Sequence, residues 1–292
     1  MSFDVLMLQL MTGLSRAAVL FIVAAGLSLV FGALRIVNIA HGSFYMIGAF
    51  VAVTLSVMIG GTTGFVAAIV AVPLLVAALG AVVERIALRP LYEKEHLLQL
   101  LATFALLLVF HDLVRAVWGE RPHRLTAPEL LRGSVDMFGA VFPRYNLFLI
   151  GAAVVLAIAL WALMTRTGFG RDIRAAVSDP EMLGMVGVNV PRLFTGVFAF
   201  GAGLAALGGI LASPRTTVLL GMDVDIIIQA FAVVIIGGLG SLVGTAVGAL
   251  LVGITFAMGI MFVPQAAMAM VFVVMVAVLV WRPYGLFGIP ER

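Results

Sequence analysis

Two stretches of this 292-residue chain, residues 36–83 and 226–281, contain no Asp, Glu, Lys or Arg. They are 48 and 56 residues long. As helix at about 1.5 Å per residue they would reach roughly 70 to 85 Å, against a hydrocarbon core of about 30 Å, so each must cross a bilayer more than once. Further apolar runs lie at 17–34, 97–110, 146–164 and 193–213. The whole chain is 63% hydrophobic and 11% charged, far below the roughly 25% charge of soluble proteins. It is the composition of a membrane protein.

Several classes of chemistry drop out at once. With no cysteine there are no disulfides, thiol nucleophiles, Cys-ligated zinc or iron–sulfur clusters. His41, His96, His111 and His123 show no metal-ligand spacing, so neither a metal nor another cofactor is expected. The basic residues, all Arg except Lys94, are scattered between apolar runs, which is no nucleic-acid footprint. No G-x-x-x-x-G-K-[ST] occurs, so ATP-driven work would need a separate subunit. Ser43 is not in a G-x-S-x-G elbow, and no nucleophile–base pair is readable. The start, Met1 to Leu10, lacks the basic segment of a removable signal peptide.

Splitting the long runs at Gly60, Gly61 and Gly64 and at Val263 and Pro264 predicts spans near 17–34, 42–59, 63–83, 97–118, 146–164, 193–213, 243–262 and 265–281. A ninth, Ile226 to Leu239, ends in Gly237, Gly238 and Gly240 and suits a short or re-entrant helix. The expected fold is all-α, a polytopic membrane protein of eight to nine helices forming one domain over 1–292. Loops 84–96, with Arg85, Arg89 and Lys94, and 165–192, with Arg166, Arg171, Arg174 and Arg192, share a side. Loop 119–145 opposes them with Arg121, Arg124, Arg132 and Arg144. The seven-to-four balance puts the first two loops in the cytoplasm and the N-terminus outside. If the ninth segment spans, Arg282 and Arg292 also fall inside.

Four patches stand out. Gly240, Gly244 and Gly248 follow the G-x-x-x-G spacing of close helix contacts; it permits tight packing in lipid and also leaves backbone open to a ligand. His111, Asp112 and Arg115 form the one ionisable cluster in a predicted span. An Asp112–Arg115 pair at i, i+3 would satisfy it near the interface, and no carboxylate is expected near the midplane. At the junction of the first two spans, Asn38, His41 and Gly42 either bond exposed backbone at a helix break or line a solute path. Loop 165–192 holds a Gly168/Gly170 turn, a short helix from Arg171 to Val177 with Arg174, and an N-cap at Asp179 with Pro180 and Glu181 opening a second helix that runs toward Gly187. This loop is either an interfacial segment held to lipid headgroups or a docking helix for a cytoplasmic partner.

As a set, Gly26–Gly32 running on through Val37–Gly42, Glu84–Leu91, Arg174–Asn189, Ile236–Ser241 and the tail Trp281–Gly288 resemble the permeases of branched-chain amino acid ABC importers, the Liv-type H subunit family. The likeness covers nearly the whole chain and departs from the family pattern at Ser43 and at Arg174. It implies a multi-pass subunit of the bacterial inner membrane that pairs with a second, related permease. Two cytoplasmic ATP-binding subunits and a periplasmic solute-binding protein complete the implied complex. It implies that loop 165–192 couples to the ATPases through Arg171, Arg174, Asp179, Glu181 and Gly187, and it leaves Asn38, His41, Gly42, Gly237, Gly238 and Gly240 as path candidates. Two alternatives remain at this stage: a permease for urea or short-chain amides in the same family, and a stand-alone carrier.

Overall fold

The computed structural model describes residues 3–137 and 140–288; Arg292 lies outside them. Eight helices are long and apolar enough to cross a membrane, and a ninth is shorter. The order is α1 (Phe3–Leu34), α2 (His41–Ile59), α3 (Gly61–Val83), α4 (His96–Trp118), β1 (Ser134–Met137), β2 (Ala140–Pro143), α5 (Arg144–Arg166), α6 (Gly168–Ser178), α7 (Pro180–Met185), α8 (Val190–Ala212), α9 (Met222–Gly237), α10 (Leu242–Phe262) and α11 (Ala267–Trp281). Helix α3 runs on through a π turn, Glu84–Leu88, and a 3-10 turn, Arg89–Leu91.

The expected spans recur, with three corrections. Helix α1 starts at Phe3 rather than near residue 17, because Arg16 finds partners inside the protein and the helix has no reason to stop there. Gly168 and Gly170 belong to α6 and make no turn; Thr167 caps the helix instead, its hydroxyl accepting from the Gly170 amide at 3.1 Å. Loop 119–145 contains an antiparallel hairpin, Ser134 opposite Pro143 and Val135 opposite Phe142, a local exception to an all-α fold.

Breaks fall where glycine or proline dictates. Gly60 and Gly61 take φ of 78° and 56°, a left-handed turn that reverses the chain between α2 and α3. Val263 and Pro264 separate α10 from α11. Arg35, with φ of 55°, is the one non-glycine residue in that region among the described residues. It sits just past α1 with its amide bonded to the Phe31 carbonyl at 2.8 Å, a left-handed C-terminal stop. The chain then folds back along α1 without helical bonds, so that His41, the first residue of α2, reaches the carbonyl of Val23 at 3.0 Å. Non-helical backbone at such depth survives only inside protein, and Ile36, Asn38 and Ala40 are buried.

Cross-links define two faces. Arg89 donates to the Pro191 carbonyl at 3.1 Å and the Tyr92 ring meets Phe194 edge-on, so loops 84–96 and 165–192 share one face. On the other, His123 and Val218 exchange backbone hydrogen bonds of 2.8 and 2.9 Å. The tail rejoins the first face, its Leu286 and Phe287 amides bonding to Ile236 and Gly237 at the end of α9. Helix α9 has 16 residues, about 24 Å of rise. That is shorter than the roughly 30 Å hydrocarbon core, and with its preceding loop α9 leads from the His123–Val218 contact to the residues that meet the tail.

The centre of the molecule is the set α1, α2, α8, α9 and α10. Small residues let these backbones touch: Gly48 of α2 lies on Ala206 of α8, and Gly209 of α8 lies on the Tyr45 carbonyl. Outside them, α4, α5 and α11 leave apolar side chains such as Leu108, Val155 and Val273 exposed, as a lipid-facing shell does.

Candidate solute path and partner-facing helices

The junction residues separate into distinct roles. The His41 ring is fully buried and its Nε2 donates to the Val23 carbonyl, a group inside helix α1 rather than at the break itself. Asn38 is also fully buried, but among the described residues neither atom of its amide has a partner. Gly42 packs directly on the backbone carbonyl of Asp223, where any side chain would collide. Here two helix starts meet, α2 at His41 and α9 at Met222.

Gly237, Gly238 and Gly240 lie at the other end of α9 and do not join that group. Gly237 closes α9 against the backbone of Gly244 and Gly248, both on α10. Gly240 is not on the same helical row: with φ of 79° it sits in the turn before α10, facing Gly32 of α1. The G-x-x-x-G spacing therefore spans a turn and a helix, and of its three glycines Gly244 and Gly248 pack from within α10.

Polar interior residues that escape a sequence reading are concentrated on α1 and α9. Asp223 is fully buried, its carboxylate oxygens without a hydrogen bond, and His111 Nδ1 stands 3.8 Å away. That distance is electrostatic contact, beyond hydrogen-bond length. Arg115 pairs with Glu120 rather than with Asp112, so the expected i, i+3 pair is not the one formed. Arg16 of α1 donates to Gln229 of α9 at 2.7 Å and lies over the Phe256 ring of α10. Asp223 adds a carboxylate inside the bundle that a span beginning at Ile226 leaves out, because α9 starts four residues earlier, at Met222.

On the face of loops 84–96 and 165–192, a second polar cluster ties α3 to α8. Glu84 is fully buried and accepts from Arg89 Nε and Nη2 at 3.2 and 3.1 Å and from the Tyr92 hydroxyl at 2.6 Å. Arg89 also reaches the Thr195 hydroxyl of α8. Burial, then the hydrogen bond to Glu84, raises the Tyr92 pKa well above the ordinary phenol value. The π turn at Glu84 is what turns this carboxylate inward; such turns concentrate at functional sites.

Helices α6 and α7 lie on the same face. Ile173, Ala176 and Leu183 face inward, while Arg171, Arg174 and Glu181 are exposed. Asp179 caps α7, its carboxylate accepting the Met182 amide at 2.9 Å, as the Asp-Pro-Glu sequence predicts. Gly187 takes φ of 89° in the turn that leads to α8. Met185 and Val186 are 81% and 71% exposed beside those charges, an apolar patch of the kind that lipid or a partner surface covers.

Apolar all-round helices, a buried break between α1 and α2 and polar side chains turned inward define a multi-pass membrane protein. Comparison with known proteins gives the particular kind. The family described as branched-chain amino acid transport system / permease component matches residues 9–280. BraD of Pseudomonas aeruginosa, a high-affinity branched-chain amino acid transport system permease protein, is 30% identical, with 97% of this chain and 96% of that one covered. LivH of Escherichia coli K12, which carries the same description, is 27% identical over the same shares. Among solved structures, PsaBC from Streptococcus pneumoniae in complex with Fab is similar at a TM-score of 0.47 and 16% identity, covering 91% of this chain and 87% of that one. The chain belongs to the branched-chain amino acid transport permease family.

Proposed function

We propose that this chain is the transmembrane subunit of an ATP-driven, binding-protein-dependent importer of branched-chain or related hydrophobic amino acids. It acts in the bacterial inner membrane with its N-terminus outside and α6–α7 in the cytoplasm. It pairs with a second, related permease, receives solute from a periplasmic binding protein and is driven by two cytoplasmic ATP-binding subunits that hydrolyse the nucleotide. The observation that carries this reading is the capped helix pair α6–α7, which offers Met182, Met185 and Val186 with Arg171 and Arg174 to water in a chain with no nucleotide-binding loop of its own. A short helix with an apolar centre and a charged rim fits a groove on a soluble partner. The likeness to BraD and LivH, both branched-chain amino acid transport permeases, supports the solute class.

The test is reconstitution. Liposomes containing this chain alone are expected to take up no leucine. Liposomes with the assembled complex and internal ATP are expected to take up leucine only when the binding protein is present outside. Robust ATP-independent uptake by the chain alone would overturn the reading in favour of a carrier.

A further inference from the structure

The extended α1 carries Arg16 about 20 Å along the helix from Phe3, at about 1.5 Å per residue. An arginine there is costly in a membrane protein unless it is held and used. It is held on one side only. Nη2 donates to Gln229 Oε1, whose own amide nitrogen donates to the Asp225 carbonyl at 3.1 Å, and the guanidinium lies 3.5 Å from the centre of the Phe256 ring. Its Nε is buried and has no partner. No carboxylate neutralises Arg16 through a salt bridge among the described residues. Asp225 and Arg215 stand within electrostatic reach of it. Asp225 and Arg215 are both exposed in the single chain, and neither is in a salt bridge among the described residues.

We infer that Arg16 and Asp225, on facing turns of α1 and α9, form a station for the zwitterionic head of an α-amino acid on its way across the membrane. The inference rests on the reading of the chain as an amino-acid importer and deepens it. Arg16, supported by Arg215, supplies the planar donor fork that suits a carboxylate. Asp225 supplies the acceptor for the ammonium. Two cations against one anion leave the group short of one negative charge, which a free carboxylate fills once Asp225 is occupied. Phe256 and the exposed Ile228 add apolar surface beside the head group. A neutral amide offers neither charge, so the station distinguishes amino acids from the amides that related permeases could carry.

The experiment uses the full complex with its binding protein, measuring uptake of labelled leucine and of acetamide, ATP hydrolysis with and without loaded binding protein, and the amount of complex assembled. Arg16→Gln and Asp225→Asn are each expected to lower leucine uptake at least about tenfold, the scale of losing one charge-assisted contact. Assembly, and hydrolysis without binding protein, should stay within about twofold, since neither requires solute to pass the station. Arg16→Lys keeps the cation but loses the planar fork, so it is expected to take up leucine faster than Arg16→Gln and slower than the unsubstituted chain, an order that a purely steric role would not predict. Asp225 is exposed, so its variant keeps the test alive if Arg16→Gln fails to insert. Leucine uptake at the wild-type rate in both variants would overturn the inference, as would parallel losses of uptake, of hydrolysis without binding protein and of assembly. Failure of the importer reading looks different: the unsubstituted complex would carry acetamide and no leucine.

Discussion

The buried centre of the bundle and the α6–α7 pair on its water-facing edge are held together by opposite means. Helices α1, α2, α8 and α10 are apolar on nearly all sides, and whether they begin on a side-chain cap, as α8 and α10 do at Asn189 and Ser241, or without one, as α2 does, backbones touch at Gly48, Gly209 and Gly237. Helix α6 is sharply two-sided, and both α6 and α7 begin on a side-chain cap, Thr167 and Asp179. Lipid tails give apolar helices no reason to choose one another, so specificity in the centre comes from close backbone approach. Water competes for every free amide at the edge, so caps and sidedness decide there. The first region is built to stay as it is. The second is built to be gripped.

The largest expected effect breaks the centre. A side chain at Gly48 has nowhere to go, because a β-carbon would meet the backbone of Ala206. Gly48→Leu is expected to lower the yield of detergent-extracted, monodisperse protein at least about tenfold, overpacking against backbone being costlier than against a side chain. Val273→Leu on α11, a position 67% exposed, should change nothing measurable beyond about 0.5 kcal/mol. Equal yields for Gly48→Leu and Val273→Leu would show that α2 and α8 do not form the close seam.

A smaller effect sharpens the functional side of the comparison. Arg174 is exposed on α6 and Arg124 lies in the loop that leads to the opposite face. Arg174→Glu is expected to lower solute-stimulated ATP hydrolysis by the complex about fivefold, the scale of reversing a charge at the rim of an interface. Membrane insertion and the solute affinity of the binding protein should be unchanged. Arg124→Glu is expected to leave hydrolysis alone. If Arg124→Glu uncouples hydrolysis and Arg174→Glu does not, the orientation is inverted and the docking role of α6–α7 falls with it.

How far the sequence could be read follows from the same contrast. Span positions, the left-handed break at Gly60, the Pro264 boundary and the Asp179 cap depend on a few neighbouring residues, and each is visible in the string. The start of α1 and the start of α9 are not, because a charge ends an apolar run in one dimension. Arg16 is held by Gln229 and Phe256, each more than 200 positions away, and Asp223 is buried against α2 and α4. Glu84 likewise reads as the first charge of a loop until the π turn directs it at Arg89 and Tyr92. The row Gly240, Gly244 and Gly248 shows the converse: a spacing that fits one helix is divided by a turn at Gly240. Local rules recover the scaffold here, and contacts between distant segments make the polar interior.

The smallest expected effect isolates what a cap does at the edge without touching the centre. Pro180 opens α7 and has no amide to offer, so the first free donors are those of the following residues. The Asp179 carboxylate takes the Met182 amide, and the Asp179 carbonyl takes Leu183 at 3.2 Å. Asp179→Ala removes the first bond and keeps the second, at a cost of about 1 kcal/mol. A six-residue helix has little cooperativity of its own, so the loss should appear locally, as amide exchange about fivefold faster within α7. Thermal unfolding of the whole protein should not move, since α1 to α5 and α8 to α11 share no contact with that carboxylate. Asp179→Asn retains an acceptor oxygen and is expected to exchange near the wild-type rate. If Ala and Asn behave alike, the start of α7 is set by Pro180 and by Leu183 buried beneath it, and the edge is held, like the centre, by packing.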